Sequence, residues 1–303
     1  MAGPAHSLAL TGRTQFEIPF CFGISFIRHG ESVGNKLGVV QGHKDYPLST
    51  LGIAQSQHLG HNSVTNLRVS HVFSSDLSRS LKTAEIVCSC LGNAPPIVLD
   101  QRLRERSFGE LEGQRLDQFR IELRNSGVHM SEFKPPGGET TADVRARAAA
   151  FLEDLFNGLK KFEKEREAAV KADKPGYFME YQVPCGTSYS PTPGSPNEIL
   201  TASVLIFAHG GWIREALIYL EQKYHICTEA QRSQITAVAP CGGVSTLTFK
   251  MTDSKTTGNC LWLHSVYHVS DSQRPRTSKI AALARSRSAQ ARKPFASQFS
   301  SPV

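Results

Sequence analysis

The stretch Gly23-Ile24-Ser25-Phe26-Ile27-Arg28-His29-Gly30-Glu31-Ser32 decides the fold. Its first half is apolar enough to be a buried strand. Its second half is a polar loop. A strand that ends this way opens its loop at the carboxyl edge of a sheet, where α/β folds bind ligands. His29 brings an imidazole nitrogen able to act as a nucleophile at neutral pH. Arg28 brings a permanent planar cation whose donors match phosphate oxygens. Gly30 allows a close backbone approach, expected here to be toward a ligand. Together these residues point to transfer of a phosphoryl group through a phosphohistidine.

Other parts of the chain repeat or complete the pattern. Ser203-Val204-Leu205-Ile206-Phe207-Ala208 runs into His209-Gly210, a second apolar strand ending in His-Gly. Two parallel strands that end alike can place both histidines in one crevice. His71-Val72-Phe73 leads into Ser74-Ser75-Asp76-Leu77-Ser78-Arg79. Ser75 or Asp76 is a good helix N-cap, which sets Arg79 in the first helical turn at the same edge. Ile97-Val98-Leu99 precedes Arg102-Leu103-Arg104-Glu105-Arg106, where Glu105 is a candidate proton donor and an ion pair with a flanking arginine is the alternative.

These motifs, in this order, resemble the histidine phosphatase superfamily of phosphoglycerate mutase-like proteins. Phe108-Gly109 and Glu112-Gly113 belong to the same resemblance, which spans about residues 23–270. It implies an α/β fold, a three-layer α/β/α sandwich with a mostly parallel central sheet. It implies His29 as the nucleophile and Glu105 as the proton donor and acceptor. Arg28, Arg79 and His209 would stabilise the phosphoryl group, an electrostatic clamp aimed at the transition state. Asn35, Gln41, Gly42 and Gly210 fall where the family contacts substrate. Glu139 is weaker, since a helix cap explains it nearly as well. No cofactor and no metal are expected, because arginines and histidines supply the positive charge, and the remaining histidines show no metal-ligand spacing.

Pro135-Pro136-Gly137-Gly138-Glu139-Thr140, Ala202 to Gly210, Arg232-Ser233 and Pro240 to Thr246 most resemble a fructose-2,6-bisphosphatase branch of this family. That implies hydrolysis of the 2-phosphate and control of glycolysis. A phosphatase or mutase acting on phosphoglycerates is the alternative within the class. A scaffold that binds a partner through the pocket or the basic tail is the alternative outside it. Gly211-Trp212 departs from the branch, with Trp212 expected to reshape the pocket, and 174–200 reads as an insertion loop.

Composition limits the rest. The chain has 303 residues and 40% hydrophobic content, enough for a sizeable core. No apolar run approaches the roughly 20 residues that span a bilayer. The formal charge of +7 is uneven: seven of the 34 basic residues lie in 272–303, which holds no acid, leaving 27 against 27 acids elsewhere. That Ser- and Arg-rich segment, 271–303, is expected to be a disordered tail able to contact anionic surfaces, with no specific nucleic-acid partner. Residues 1–22 read as an N-terminal extension; Arg13 stands beside Glu17, without the repeated arginines of a mitochondrial presequence. Seven cysteines form no disulfide or zinc pattern, which suits reduced thiols and a cytoplasmic location. Nuclear or mitochondrial association is the lesser alternative. Helices are expected over 49–60, 77–90 and 141–170, with further strands over 235–239, 244–250 and 260–267.

Overall fold

The computed structural model describes residues 20–64, 69–92, 94–171, 202–252 and 255–265. The first nineteen residues, the expected insertion loop at 174–200 and the basic tail lie outside the described residues. Six strands make one sheet in the order β3-β2-β4-β1-β5-β6. They are β1 (Phe20–Arg28), β2 (His71–Ser74), β3 (Ile97–Leu99), β4 (Ala202–Ala208), β5 (Val244–Met251) and β6 (Thr256–Ser265). β3, β2, β4 and β1 run parallel, and β5 and β6 add an antiparallel edge.

Helices cover both faces. They are α1 (Val33–Leu37), α2 (Thr50–Leu59), α3 (Ser78–Cys88), α4 (Leu116–Ser126), α5 (Thr141–Lys171), α6 (Gly210–Tyr224) and α7 (Glu229–Arg232). Alternation along β4 sorts the layers. Val204, Ile206 and Ala208 join Phe22, Ile24 and Phe26 of β1 in a core with Phe151 and Leu155 of α5 and Trp212 and Leu217 of α6. Leu205 and Phe207 turn the other way, to Leu59 of α2 and Ala84 and Val87 of α3. A strand buried on both faces has no polar side to show, which is why β1 and β4 read as near-continuous apolar runs. Burial of such side chains contributes roughly 1.5–3 kcal/mol each before chain entropy is set against it.

α2 begins where expected: Ser49 Oγ accepts the Gly52 N–H at 3.1 Å. α3 does not. Its cap residue is Leu77, which has no capping side chain, and the Ser78 N–H is taken by Asp45 at 3.0 Å. Ser75 and Asp76 are released for other work, described below. Residues 235–239 are not a strand. Turn hydrogen bonds from Gln234 N–H to Gln231 C=O and from Ala237 N–H to Gln234 C=O fold the segment on itself after α7. α4 packs apart from the main core, in a small cluster of Val40, Leu111 and Phe119 with Phe108, Leu123, Met130 and Phe133 against it. No helix among the described residues is long and apolar enough to cross a membrane.

Candidate active site

β1 and β4 pair in parallel, with Arg28 opposite Ala208, so the next residues, His29 and His209, leave the same edge side by side. Their ring centroids are 5.1 Å apart. Both are buried, at 2% and 0% exposure. His29 Nδ1 lies 2.7 Å from the Gly30 carbonyl. A carbonyl only accepts, so Nδ1 carries the proton and Nε2 keeps its lone pair. Burial, then the charges of Arg28 and Arg79, hold the His29 pKa well below its ordinary value, despite the Gly30 bond. A neutral ring with a bare Nε2 is the form a nucleophile needs.

His209 caps α6, and its Nε2 lies 2.9 Å from Ser75 Oγ. Burial comes first among the causes that lower its pKa, followed by Arg79, His29, Arg28 and Arg147. Arg79 is 1% exposed; its Nη2 donates to Gly42 C=O at 2.7 Å and its Nη1 to Lys44 C=O at 3.3 Å. Its carboxylate contact is a long one, 3.7 Å to Asp45. Burial lowers the Arg79 pKa, and the charges of Glu105 and Asp45 oppose that. Arg28 donates Nη1 to the Ala239 carbonyl, and no carboxylate stands within ion-pair distance of it among the described residues. Three buried nitrogens here, Arg28 Nε, Arg79 Nε and His209 Nδ1, have no hydrogen-bond partner among the described residues.

The arginines flanking Glu105 are spent elsewhere. Arg102 binds Asp100 and Asp154, Arg104 binds Asp76, and Arg106 donates to the carbonyls of Glu139, Met130 and Phe133. The Glu105 carboxylate instead accepts backbone N–H groups, Oε2 from Gly211 at 3.0 Å and Oε1 from Arg106 at 2.8 Å. A Cβ on Gly211 would collide with Glu105 Oε1, so glycine there lets the carboxylate reach the α6 N-terminus. Gly30 lets α2 approach closely: a Cβ on it would stand 2.5 Å from the Gly52 carbonyl of α2.

Of the expected substrate contacts, Asn35 lies on α1, Gln41 and Gly42 in the loop after it, and Gly210 at the start of α6. Ser32 caps α1 in a reciprocal capping box with Asn35. Ser32 Oγ is 2.8 Å from Asn35 Oδ1 and 2.6 Å from Gln41 Oε1. Gly42 anchors Arg79 through its carbonyl. Gly210 opens α6 against Val238 and the Arg28 guanidinium. Trp212 does not shape the pocket. It is fully buried, packed between Phe26 and Phe151 in the core. Among the described residues no group of His, Cys, Asp and Glu is placed to hold a metal ion.

The family model of the histidine phosphatase superfamily (branch 1) matches residues 24–164. Fructose-2,6-bisphosphatase TIGAR of Xenopus tropicalis is 32% identical over 270 residues, spanning 82% of this chain and 95% of that protein. The chain belongs to the histidine phosphatase superfamily. TIGAR of Bos taurus is 31% identical over 237 residues, 74% of this chain and 86% of its own length. A probable phosphoglycerate mutase of Yersinia pestis is 35% identical over 137 residues, 44% of this chain and 62% of that protein. A mycobacterial glucosyl-3-phosphoglycerate phosphatase, solved with VO3, shares the fold at a TM-score of 0.55 and 22% identity, over 80% of this chain and 99% of that one.

In this histidine phosphatase, three further elements support the site, and one of them, Arg147, carries no sequence signal of its own. Arg147 of α5 donates to the carbonyls of Arg102 at 2.8 Å, Arg104 at 2.6 Å and Glu105 at 2.9 Å, and pairs with Glu139. Glu139 is thus the counter-ion of that clamp, while Thr140 and Asp143 bond each other at the start of α5. Burial alone would raise the Glu139 pKa, but Arg147 and the Ser107 N–H hold it below the usual carboxylate range. Glu112 ties the loop of His43 and Lys44 to the Phe108 N–H, with bonds of 2.9, 2.7 and 2.9 Å. The folded segment 235–243 closes the last wall: Gly243 C=O accepts the Arg28 N–H, and Gly242 N–H donates to His29 C=O.

Proposed function

We propose that this protein hydrolyses the 2-phosphate of fructose 2,6-bisphosphate through a phosphohistidine on His29. One observation carries the chemistry: three buried, unpartnered nitrogens of Arg28, Arg79 and His209 accompany a histidine whose Nε2 is deprotonated. Unpaired buried donors are costly, and a phosphoryl group with three anionic oxygens satisfies all three. His29 Nε2 attacks phosphorus while the bond to the ester oxygen breaks. Glu105, carrying a proton at that step, gives it to the leaving oxygen. Glu105 then takes a proton from water, whose oxygen attacks phosphorus, frees inorganic phosphate and restores His29. Arg28, Arg79 and His209 hold the nonbridging oxygens in both steps.

The choice of substrate is supported by the frog and bovine relatives, matched over most of their length and named fructose-2,6-bisphosphatases. Asn35, Gln41, Gly42 and Gly210 line the loop and helix start where the sugar would lie. Residues 23–270 would form the catalytic domain, acting in the cytoplasm to lower an activator of glycolysis, with the tail free for anionic surfaces. Phosphoglycerates are the second reading, favoured by the Yersinia pestis relative. Phosphate release from fructose 2,6-bisphosphate, 2- and 3-phosphoglycerate and 2,3-bisphosphoglycerate decides between them. A kcat/KM for the sugar bisphosphate at least tenfold above the glycerates is expected, and the reverse order refutes the sugar reading.

A further inference from the structure

We infer that Ser75 sets the tautomer of His209: its hydroxyl donates to Nε2, so the ring proton sits on Nδ1, the nitrogen left free to donate to a bound phosphoryl group. The inference rests on the phosphoryl-pocket reading of the site and names a positioning residue within it.

Ser75 is fixed on every side. Its N–H donates to Phe207 C=O at 3.0 Å, and its carbonyl accepts Ser74 Oγ at 2.9 Å. Its Oγ receives the Leu77 N–H at 3.3 Å and lies 2.9 Å from His209 Nε2. Both side chains are fully buried. A hydroxyl offers one proton and two lone pairs. Leu77 uses a lone pair, so the proton is available, and among the described residues His209 Nε2 is the acceptor in reach. The opposite arrangement, with Nε2–H donating to Ser75, would leave two buried groups unpaired, the Ser75 hydroxyl proton and a bare Nδ1. The arrangement assigned here leaves one, Nδ1–H, and an anionic oxygen pairs it. A bare Nδ1 would instead turn a lone pair toward that oxygen.

The tautomer matters because burial and the neighbouring arginines keep His209 neutral. A cationic ring would carry both protons and need no such control. The two histidines therefore share one tautomer and use opposite ends of it. At His29, Gly30 holds Nδ1–H and Nε2 attacks. At His209, Ser75 holds Nε2 and Nδ1–H donates. The same geometry explains why Ser75 does not cap α3.

The test is a nitrogen spectrum of full-length protein labelled with 15N-histidine, with the His209 signals assigned from their loss in His209→Gln. In the native protein Nδ1 should be the hydrogen-bearing nitrogen and Nε2 the bare one; the reverse overturns the inference. In Ser75→Ala the proton should move toward Nε2, kcat should fall about 10²-fold, the scale of a lost oxyanion donor, and KM should change less. Ser75→Thr should restore both the spectrum and the rate. A Ser75→Ala spectrum that keeps the native tautomer overturns the inference even if turnover falls. If that variant does not fold, the native spectrum decides alone. The spectrum is read on the free protein, so its outcome does not depend on which phosphate ester the enzyme turns over.

Discussion

Gly211 gives its backbone N–H to Glu105 Oε2 at 3.0 Å, across 106 residues of chain, and so ties the proposed proton donor to the first turn of the helix that follows His209. The same helix start therefore places two members of the site. A Cβ at Gly211 would occupy the space of Glu105 Oε1. Gly211→Ala should keep the fold, because alanine is a good helix former, and lower kcat by about 10²-fold through displacement of the carboxylate. In Gly211→Ala/Glu105→Gln the two losses should not add, since both act on one carboxylate. Full additivity would separate Gly211 from Glu105.

Glu105→Gln keeps the shape of the side chain and removes its ionisable proton. Turnover of an alkyl phosphate should fall roughly 10²–10⁴-fold, and an activated aryl phosphate, whose leaving group needs little protonation, should suffer much less. Equal loss on both substrates would mean that Glu105 only positions.

Arg147 holds the carbonyls of Arg102, Arg104 and Glu105 and pairs with Glu139. Arg147→Ala strips half-buried acceptors of their donor, so stability should drop by about 1–3 kcal/mol, with kcat falling more than KM rises. Arg147→Lys, a point charge without the planar fork, should recover only part of both. Chemical denaturation beside steady-state kinetics checks this; unchanged stability would contradict the clamp.

His29 and His209 both have pKa values pushed well below 6.5, by burial first, then chiefly by Arg28 and Arg79 at His29 and by Arg79 and His29 at His209. The unfolded chain takes up protons at these positions near the ordinary value, and the folded chain does not. Acid therefore favours unfolding: their contribution is complete above about pH 6.5 and shrinks as pH falls below it. Melting temperature should decline from pH 7 to pH 5, and His29→Asn should flatten the decline. An equally steep slope in the variant would contradict the buried neutral state.

Much of this was legible in the chain. β1 and β4 announce themselves because both faces are buried, and their shared His-Gly ending fixes which strands must be neighbours. Arg79 could be placed from its distance to a cap, even though Leu77, not Ser75 or Asp76, occupies that position. Local cap rules failed there because Ser75 and Asp76 had stronger tertiary partners in His209 and Arg104. Ile235, Ala237, Val238 and Ala239 have strand composition, but turn bonds fold the segment to bring the Ala239 carbonyl to Arg28. Arg147 was hidden because an arginine within a charged helix face looks solvated. Trp212 stood out beside His209, yet helical geometry turns it to the core, packed against Phe26.

The central claim is the covalent intermediate on His29, and trapping it is the most direct measurement. Rapid quench with substrate labelled at the phosphate should give protein-bound label that is acid-labile and base-stable. Peptide mapping should place it on His29, and His29→Ala should abolish label and turnover together. Label on His209, or turnover that persists in His29→Ala, would contradict the account.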